Sequence, residues 1–478
     1  AVDADEPSAE QRRGFDPQPD LPLVSAEPSW LFSNRAQWYP QAQVTDYATA
    51  DLRITVPSEY TVVASGVQAL GSPVVVGAQP NGEGGTARFS FTASQPVRYL
   101  SMVVSRMTRA DAATVALDII PPATSPPATS RIPTIRLGGN RLVAVRPATP
   151  PIGSRNTIEL SVDGNRRQEG RGREALVTIA EILRLYASLI GDVPYDALNV
   201  AMVENTLPGG HAPGYVAVIN NQLPNSPYTW RNDPAAFGNF PEFFLAHEVA
   251  HQWFGQAVGW KNYHEQWLSE GFAQYLAALY ARERRGESAF RDLIKQFRRW
   301  SLQESSEGPI YLGYRLGHIK REGRVFRALV YNKGAAVLHM LRRFVGDDAF
   351  FKGVRRFYRD NRFRKAGTED LQHAMETESG MDLARFFERW VYDSGIPRLR
   401  YATSIGAGEV TVRLEQSGDD IYDVPVTVTI EYADGSVDEQ VVRITEAVAE
   451  ARLPVTKAVR NVDLNQDYAA LAQLDRAR

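Results

Sequence analysis

The chain has 478 residues, of which 44% are hydrophobic and 10% aromatic, which is enough apolar material for folded cores in roughly three domains. Its 53 basic and 56 acidic residues give a formal net charge of -3, so nucleic acid is not predicted as a partner. No run approaches the ~18 apolar residues of a membrane helix, and no membrane span is predicted. The lack of cysteine excludes disulfides and thiolate metal ligands.

Residues 1–30 form an acidic, proline-rich lead that begins with Ala1 and is predicted to be disordered or extended. Such a lead is typical of a chain from which a signal peptide has been removed, and equally of an artificial start. The sequence leaves the compartment open, and we expect a periplasmic or secreted location rather than a cytoplasmic one.

The remaining chain divides into three predicted domains. Residues 31–163 alternate apolar and polar side chains between Gly, Pro and Asn clusters, which predicts an N-terminal β domain. Within it, residues 121–133 are rich in proline and predict an exposed loop. Residues 164–397 show mainly helical periodicity, and residues 398–478 return to alternation, which predicts a small C-terminal β-sandwich.

A predicted helix that ends at Gly255 carries His247, Glu248 and His251. The two histidines are four residues apart, so they lie one turn apart on the same face, roughly 6 Å along the axis. Both imidazoles can therefore reach one metal ion. Glu248, rotated by about 100°, can instead lean over an open metal position and act as a general base toward the attacking water.

Glu270, on the next predicted helix, is the candidate third ligand. Two histidines and one carboxylate leave the fourth tetrahedral position open, as in a catalytic zinc site, whereas a structural site is closed by four protein ligands. We therefore predict one zinc ion per chain. Two structural histidines on a buried helix face are the alternative, but they would leave Glu248 as an unpaired buried charge, which is costly.

The HExxH motif at residues 247–251, eighteen intervening residues and Glu270 within WLSEGFA resemble the aminopeptidase N family of gluzincins. The resemblance implies a multidomain α+β fold, with a thermolysin-like zinc catalytic domain between the N-terminal β-sandwich domain and the C-terminal β-sandwich. Residues 38–57 resemble a segment midway through the family's N-terminal domain. That domain is therefore expected to be incomplete, with edges that upstream residues or a partner would cover.

Tyr331, in the sequence YNKG, resembles the family's catalytic tyrosine. A tyrosine hydroxyl has an ordinary pKa near 10 and stays protonated at neutral pH, so it can donate a hydrogen bond to the oxyanion that forms during peptide hydrolysis. The alternative is a core tyrosine at the start of a helix.

The family's Gly-x-Met-Glu-Asn segment, whose glutamate holds the substrate amino terminus, is not present as such. Glu204, in the run MVEN, keeps the composition but inserts a residue. The run Gly209, Gly210, His211 and Ala212 keeps the distance to the metal helix and lacks the glutamate. We slightly favour this second placement, at a loop that borders the cleft, and predict all five residues as substrate-binding candidates.

The resemblance predicts a zinc metallopeptidase acting on peptides, most simply an aminopeptidase. Glu248 would take a proton from the attacking water and return it to the leaving amine, and Tyr331 would hold the oxyanion. An endopeptidase or oligopeptidase is the second hypothesis, because the amine-binding glutamate is not assigned. A non-catalytic scaffold that keeps a zinc domain is the third, although a scaffold needs neither Glu248 nor Tyr331.

Overall fold

A computed structural model describes most of the chain from residue 26 onward. The described residues are 26–34, 36–41, 47–77, 84–119, 150–204, 210–220, 240, 242–320, 323–418 and 420–477. Most of the predicted lead, residues 1–25, and the predicted proline-rich loop at 121–133 lie outside them.

The N-terminal strands form two small antiparallel sheets. The strands are β1 (Ser29–Phe32), β2 (Ala48–Pro57), β3 (Thr61–Ala64), β4 (Val67–Gln68), β5 (Val74–Val76), β6 (Thr86–Val97) and β7 (Met102–Ser105). Their order is β1-β7-β3 in one sheet and β2-β6-β4 in the other, where β5 also pairs with β6. The three valines of β5 are 46%, 54% and 57% exposed.

A five-stranded sheet lies at the centre of the chain. Its strands are β8 (Thr108–Ala116), β9 (Thr157–Gly164), β10 (Ala197–Val203), β11 (Gly210–His211) and β12 (Val216–Asn220). Their order is β11-β12-β10-β9-β8, and β10 runs parallel to both of its neighbours. Every residue of β10 is buried, as its nearly continuous apolar sequence requires.

The predicted domain boundary between residues 163 and 164 falls within this sheet. Strands β8 and β9 come from the N-terminal side of the boundary, yet β9 hydrogen-bonds to β10 and β8 to β9. Alternation along a strand indicates which face is buried but not which sheet the strand joins. The domain limits therefore remain predictions, and the central sheet takes strands from both sides of this one.

The chain after the central sheet is mainly helical. The helices are α1 (Glu169–Ile190), α2 (Phe243–Ala250), α3 (Trp267–Arg285), α4 (Glu287–Glu304), α5 (Gly313–Lys320), α6 (Gly323–Phe326), α7 (Gly334–Val345), α8 (Asp347–Asn361), α9 (Thr368–Ser379) and α10 (Ala384–Phe387). Two π-helical turns follow α6 and α10, at Arg327–Lys333 and Glu388–Tyr392. The short strands β13 (Val258–Trp260) and β14 (Arg364–Ala366) pair in parallel between the helices.

Helix α2 is shorter than predicted, because its α-helical hydrogen bonding stops at Ala250 rather than at Gly255. Beyond it the backbone tightens, and the amide of Trp253 donates to the carbonyl of Ala250, three residues back, at 3.1 Å. Gly255 follows with φ of 114°, a conformation that L side chains rarely adopt. The glycine signal therefore marks the end of a tight turn rather than of the helix itself.

Seven strands end the chain in two sheets. They are β15 (Arg398–Ile405), β16 (Glu409–Ser417), β17 (Val424–Tyr432), β18 (Val437–Ile444), β19 (Val448–Pro454), β20 (Val459–Leu464) and β21 (Gln473–Arg476). The orders are β19-β16-β15-β21 and β18-β17-β20. One core of buried apolar side chains continues from the central sheet through the helices into these strands.

The architecture is thus a multidomain mixture of α and β, with several sheets around a helical bundle. Within the described part of the chain, every helix is too short or too polar to cross a bilayer.

Candidate active site

Two helices bring the three predicted metal ligands together. His247 lies on α2, His251 directly follows the last residue of that helix, and Glu270 lies in the first turn of α3. The two Nε2 atoms are 3.1 Å apart, and each is 3.3 Å from Oε2 of Glu270. Ligands bonded to one zinc ion at ~2.0–2.2 Å in tetrahedral geometry stand about 3.3–3.5 Å apart. The triangle therefore fits a zinc ion.

Burial and charge prepare this triangle for a cation. The three side chains are 7%, 11% and 12% exposed. Burial alone would raise the pKa of Glu270, but His251 and His247 outweigh that effect and leave the pKa well below its usual range. Burial would lower the pKa of His251, yet Glu270 and Glu248 raise it to about 9. The carboxylates thus favour positive charge between them, which a metal ion supplies when it displaces the proton.

The orientation of His251 is set by its second ring nitrogen. Nδ1 lies 3.1 Å from the carbonyl oxygen of Phe254 and 3.1 Å from Oγ of Ser269. Donation of the Nδ1 proton to that carbonyl leaves the Nε2 lone pair facing the triangle. A Cβ on Gly255 would lie 2.3 Å from Oγ of Ser269, so only glycine fits there. Sequence analysis missed this role of Ser269, although it directly precedes Glu270.

Glu248 is buried beside the triangle and lies against strand β11. A Cβ on Gly210 would stand 2.5 Å from Cδ of Glu248, so the backbone of this strand passes close to the carboxyl group. Burial raises the pKa of Glu248, and the opposing effects of His251 and His247 do not cancel the rise. A carboxylate with a raised pKa is better suited to act as a general base near neutral pH.

Substitution of Gly210 by alanine should displace the Glu248 carboxyl group. We expect turnover to fall by about tenfold, because a small misplacement of a reacting group is costly, while zinc content is unchanged. Steady-state kinetics and metal analysis test this. Gly406→Ala is the matched control, since a Cβ there meets its nearest atom at 3.6 Å, an ordinary contact. Full activity in Gly210→Ala would show that the contact with Glu248 is loose.

Tyr331 lies in a π-helical turn rather than at the start of a helix. Its ring stacks on the ring of His247, with centroids 5.8 Å apart and planes inclined by 5°, and the ring of Phe326 packs edge-on against it at 5.4 Å. The structure therefore places the tyrosine beside a predicted metal ligand. Single π-helical turns occur often at functional sites, but no sequence pattern used above predicts one.

The Gly-Gly-His-Ala run lies at the site as far as it is described, while Gly209 lies outside the described residues. Gly210 and His211 form β11, the outermost strand of the central sheet. Nε2 of His211 is 2.7 Å from Oγ of Ser33, and its ring stacks on Tyr99 with centroids 6.3 Å apart. Ala212 is buried. Ser33 and Tyr99 come from the N-terminal region and were not anticipated, because contacts so distant in sequence leave no local pattern.

The structure does not place Glu204 as an amine-binding residue. Its side chain is 4% exposed and forms an ion pair with Arg167. Oε2 also accepts a hydrogen bond from the amide of Glu27 at 3.0 Å, and Oε1 accepts one from Gln168 at 3.3 Å. Both oxygens are thus occupied by protein donors. The extra residue in the MVEN run leaves Glu204 at the end of β10, where these donors are in reach.

The region of the chain that contains the site is similar in sequence to known proteins. Residues 242–390 match the Peptidase family M1 domain. "Tricorn protease-interacting factor F2" of Thermoplasma volcanium is 32% identical over 160 residues, 33% of this chain and 20% of that protein. "Aminopeptidase N" of Lactococcus lactis subsp. lactis is 31% identical over 173 residues, 35% of this chain and 20% of that protein. The chain thus matches only about a fifth of the length of these relatives.

A solved structure extends the likeness over nearly the whole fold. The chain resembles Legionella pneumophila aminopeptidase A, solved in complex with aspartic acid, with a TM-score of 0.64 and 16% sequence identity. The superposition covers 91% of this chain and 45% of that chain. At this identity the likeness concerns the fold alone.

The site consists of a buried His-His-Glu triangle with a further glutamate beside it. Helices hold it next to the edge of a mixed sheet, and this arrangement is typical of metallopeptidases. The matched domain indicates which family of metallopeptidases the site resembles. Residues 242–390 match the Peptidase family M1 domain, and over this region the chain is similar to proteins named aminopeptidase N and aminopeptidase M1. The resemblance predicted from the motif is confirmed.

Proposed function

We propose that the chain is a zinc-dependent peptidase that removes N-terminal residues from peptides. The observation that carries the proposal is the triangle of His247, His251 and Glu270, with separations of 3.1 and 3.3 Å and with Glu248 beside it. A zinc ion held there would act as a Lewis acid toward the peptide carbonyl and the attacking water. Relatives that carry the printed names "Aminopeptidase N" and "Aminopeptidase M1" support the exopeptidase assignment.

Two side chains of this protein would move or hold protons during the reaction. Glu248 takes a proton from water and returns it to the leaving nitrogen, a role that suits a buried carboxylate with a raised pKa. Tyr331 donates a hydrogen bond to the carbonyl oxygen as negative charge develops on it, because its hydroxyl stays protonated near neutral pH. Strand β11 offers backbone groups with which an extended peptide can pair.

The proposal also covers the domain architecture and the cellular location of the protein. Residues 164–397 would form a thermolysin-like catalytic domain between two β-sandwich domains, in keeping with the fold likeness to Legionella aminopeptidase A. The exposed valines of β5 would be covered by upstream residues or by a partner. A periplasmic or secreted location remains our expectation for the protein.

A second candidate function, an endopeptidase or oligopeptidase, is favoured by the state of Glu204. A peptidase that reads a free amino terminus must desolvate a charged amine and needs an anion or several acceptors to receive it. Glu204 is committed to Arg167, Gln168 and the amide of Glu27, and the run from Gly210 to Ala212 contains no carboxylate. On this hypothesis the amine is not recognised.

Hydrolysis of a free peptide and of its N-acetylated twin separates the hypotheses. For an aminopeptidase we expect the free peptide to be cleaved at least about tenfold faster, the scale of one charge-assisted hydrogen bond, and both activities to disappear with a chelator. Equal rates would remove the aminopeptidase assignment and leave an endopeptidase or oligopeptidase. Failure of the zinc-loaded protein to cleave any member of a mixed peptide library would leave the non-catalytic scaffold.

A further inference from the structure

The three residues that follow Tyr331 are held by two parts of the fold, helix α3 and the turn at Ser305. Oδ1 of Asn332 accepts a hydrogen bond from Nε2 of Gln274 at 3.1 Å. The ammonium group of Lys333 donates to Oγ of Ser305 at 2.8 Å. Gly334 begins α7 and lies against α3. Because Asn332, Lys333 and Gly334 are all buried, the turn that carries Tyr331 is fixed by contacts with both of these parts of the fold.

The contact between α7 and α3 is made by two glycines, with backbone against backbone. A Cβ on Gly271 would lie 3.0 Å from the carbonyl carbon of Gly334 and 3.2 Å from its Cα. A Cβ on Gly334 would lie 3.2 Å from Cα of Gly271. All three distances are shorter than ordinary carbon contacts, which lie near 3.5–4.0 Å. Neither helix leaves room for a side chain at this crossing.

Both glycines are close in sequence to residues of the proposed active site. Gly271 directly follows Glu270, and Gly334 lies three residues after Tyr331. Gln274 is three residues beyond Gly271 on α3, so the hydrogen bond to Asn332 and the glycine contact lie on the same side of the helix. The two contacts therefore set the distance between the segment that carries a metal ligand and the segment that carries the tyrosine.

We infer that Gly271 and Gly334, together with the Gln274 to Asn332 hydrogen bond, are positioning residues that hold the Tyr331 hydroxyl at its working distance from the metal ligands. The inference rests on the proposed peptidase function, in which that hydroxyl meets the oxyanion. The residues act through Tyr331 and touch neither substrate nor metal. Glycine is needed at both positions because the backbones of α3 and α7 approach too closely for a side chain.

Gly271→Ala tests the inference, because the added methyl group must push α3 and α7 apart by a few tenths of an ångström. We expect kcat to fall by about tenfold, with KM within about twofold and zinc content unchanged, since misplacement of a catalytic group by 1 Å can cost ~10²-fold. Gly170→Ala on α1 is the matched control, because a Cβ there meets nothing within 4 Å. It should leave kcat unchanged.

A double-mutant cycle with Tyr331→Phe shows whether the effect passes through the hydroxyl. In the Tyr331→Phe background, Gly271→Ala should lower kcat by less than about twofold, because the displaced group is already missing. Calorimetric binding of a phosphinic dipeptide to the zinc-loaded protein gives a readout without turnover. Its tetrahedral anion mimics the oxyanion, so affinity should fall about tenfold in Gly271→Ala, and the double variant should bind as tightly as Tyr331→Phe alone.

Equal losses in both backgrounds, or full activity in Gly271→Ala, would overturn the inference. If the wild-type protein hydrolyses no peptide, the proposed function fails first, and phosphinic binding still reports on the contact. If Gly271→Ala does not fold, Gln274→Met removes the hydrogen bond to Asn332 without adding bulk at the crossing. The same cycle is then run with that variant, and additive losses would again contradict the positioning role.

Discussion

The Glu248→Gln variant should keep its zinc and lose at least ~10²-fold in kcat, the scale of general base catalysis. Glutamine matches glutamate in shape, so the packing against β11 and beside the two histidines is preserved. Its amide nitrogen and oxygen cannot accept the proton from water near neutral pH. The variant therefore removes a proton acceptor while it leaves the ligand triangle in place.

Steady-state kinetics on the best free peptide, together with metal analysis, measures this effect. Glu242→Gln is the matched control: it removes a carboxylate directly before α2 that pairs with Arg285 at 3.0 Å on a partly exposed surface. Exposed pairs contribute little, so this control should stay within about twofold of the wild type. Retention of more than a tenth of kcat in Glu248→Gln would exclude Glu248 as the base.

The Tyr331→Phe variant should lower kcat by ~10² to 10³-fold, the cost of one oxyanion donor. The phenyl ring can keep the stacking on His247 and the edge contact with Phe326, so only the hydroxyl is removed. Because that hydroxyl would act mainly in the transition state, KM should change little.

Tyr392→Phe is the control for this variant, since Tyr392 also lies in a π-helical turn and is partly exposed. It should leave kcat unchanged. Full activity in Tyr331→Phe would mean that the ring only packs against the histidine, and the alternative of a core tyrosine would stand.

The triangle of His247, His251 and Glu270 could be predicted from the sequence because short, local spacings between these residues indicate a metal site. A four-residue separation places His247 and His251 on one helical face, and the WLSEGFA segment pointed to Glu270 through a family resemblance. The support around them could not be predicted in the same way. Ser269, Ser33 and Tyr99 act across contacts that no periodicity encodes, and the π-helical turn at Tyr331 has no propensity signature of its own.

The residues that would bind the substrate amine could not be predicted from sequence spacing. Composition favoured Glu204, with one residue inserted relative to the family pattern, whereas the distance to the predicted metal helix favoured the run from Gly209 to Ala212, which lacks the glutamate. Which one faces the His-His-Glu triangle depends on where β10 ends and on the ion pair between Arg167 and Glu204, and neither follows from residue types. Similarly, the alternation in Thr108–Ala116 predicted a strand correctly but could not assign it to the central sheet.

Because β8 and β9 belong to the central sheet, the chain cannot be cut at residue 164 without splitting that sheet. β9 pairs directly with β10, and β8 pairs with β9 at the edge of the sheet. Ser33 contacts His211 of β11, and the amide of Glu27 contacts Glu204 at the end of β10. A fragment that started at residue 164 would leave one side of β10, whose residues are apolar except for Asn199, as an open edge prone to aggregation.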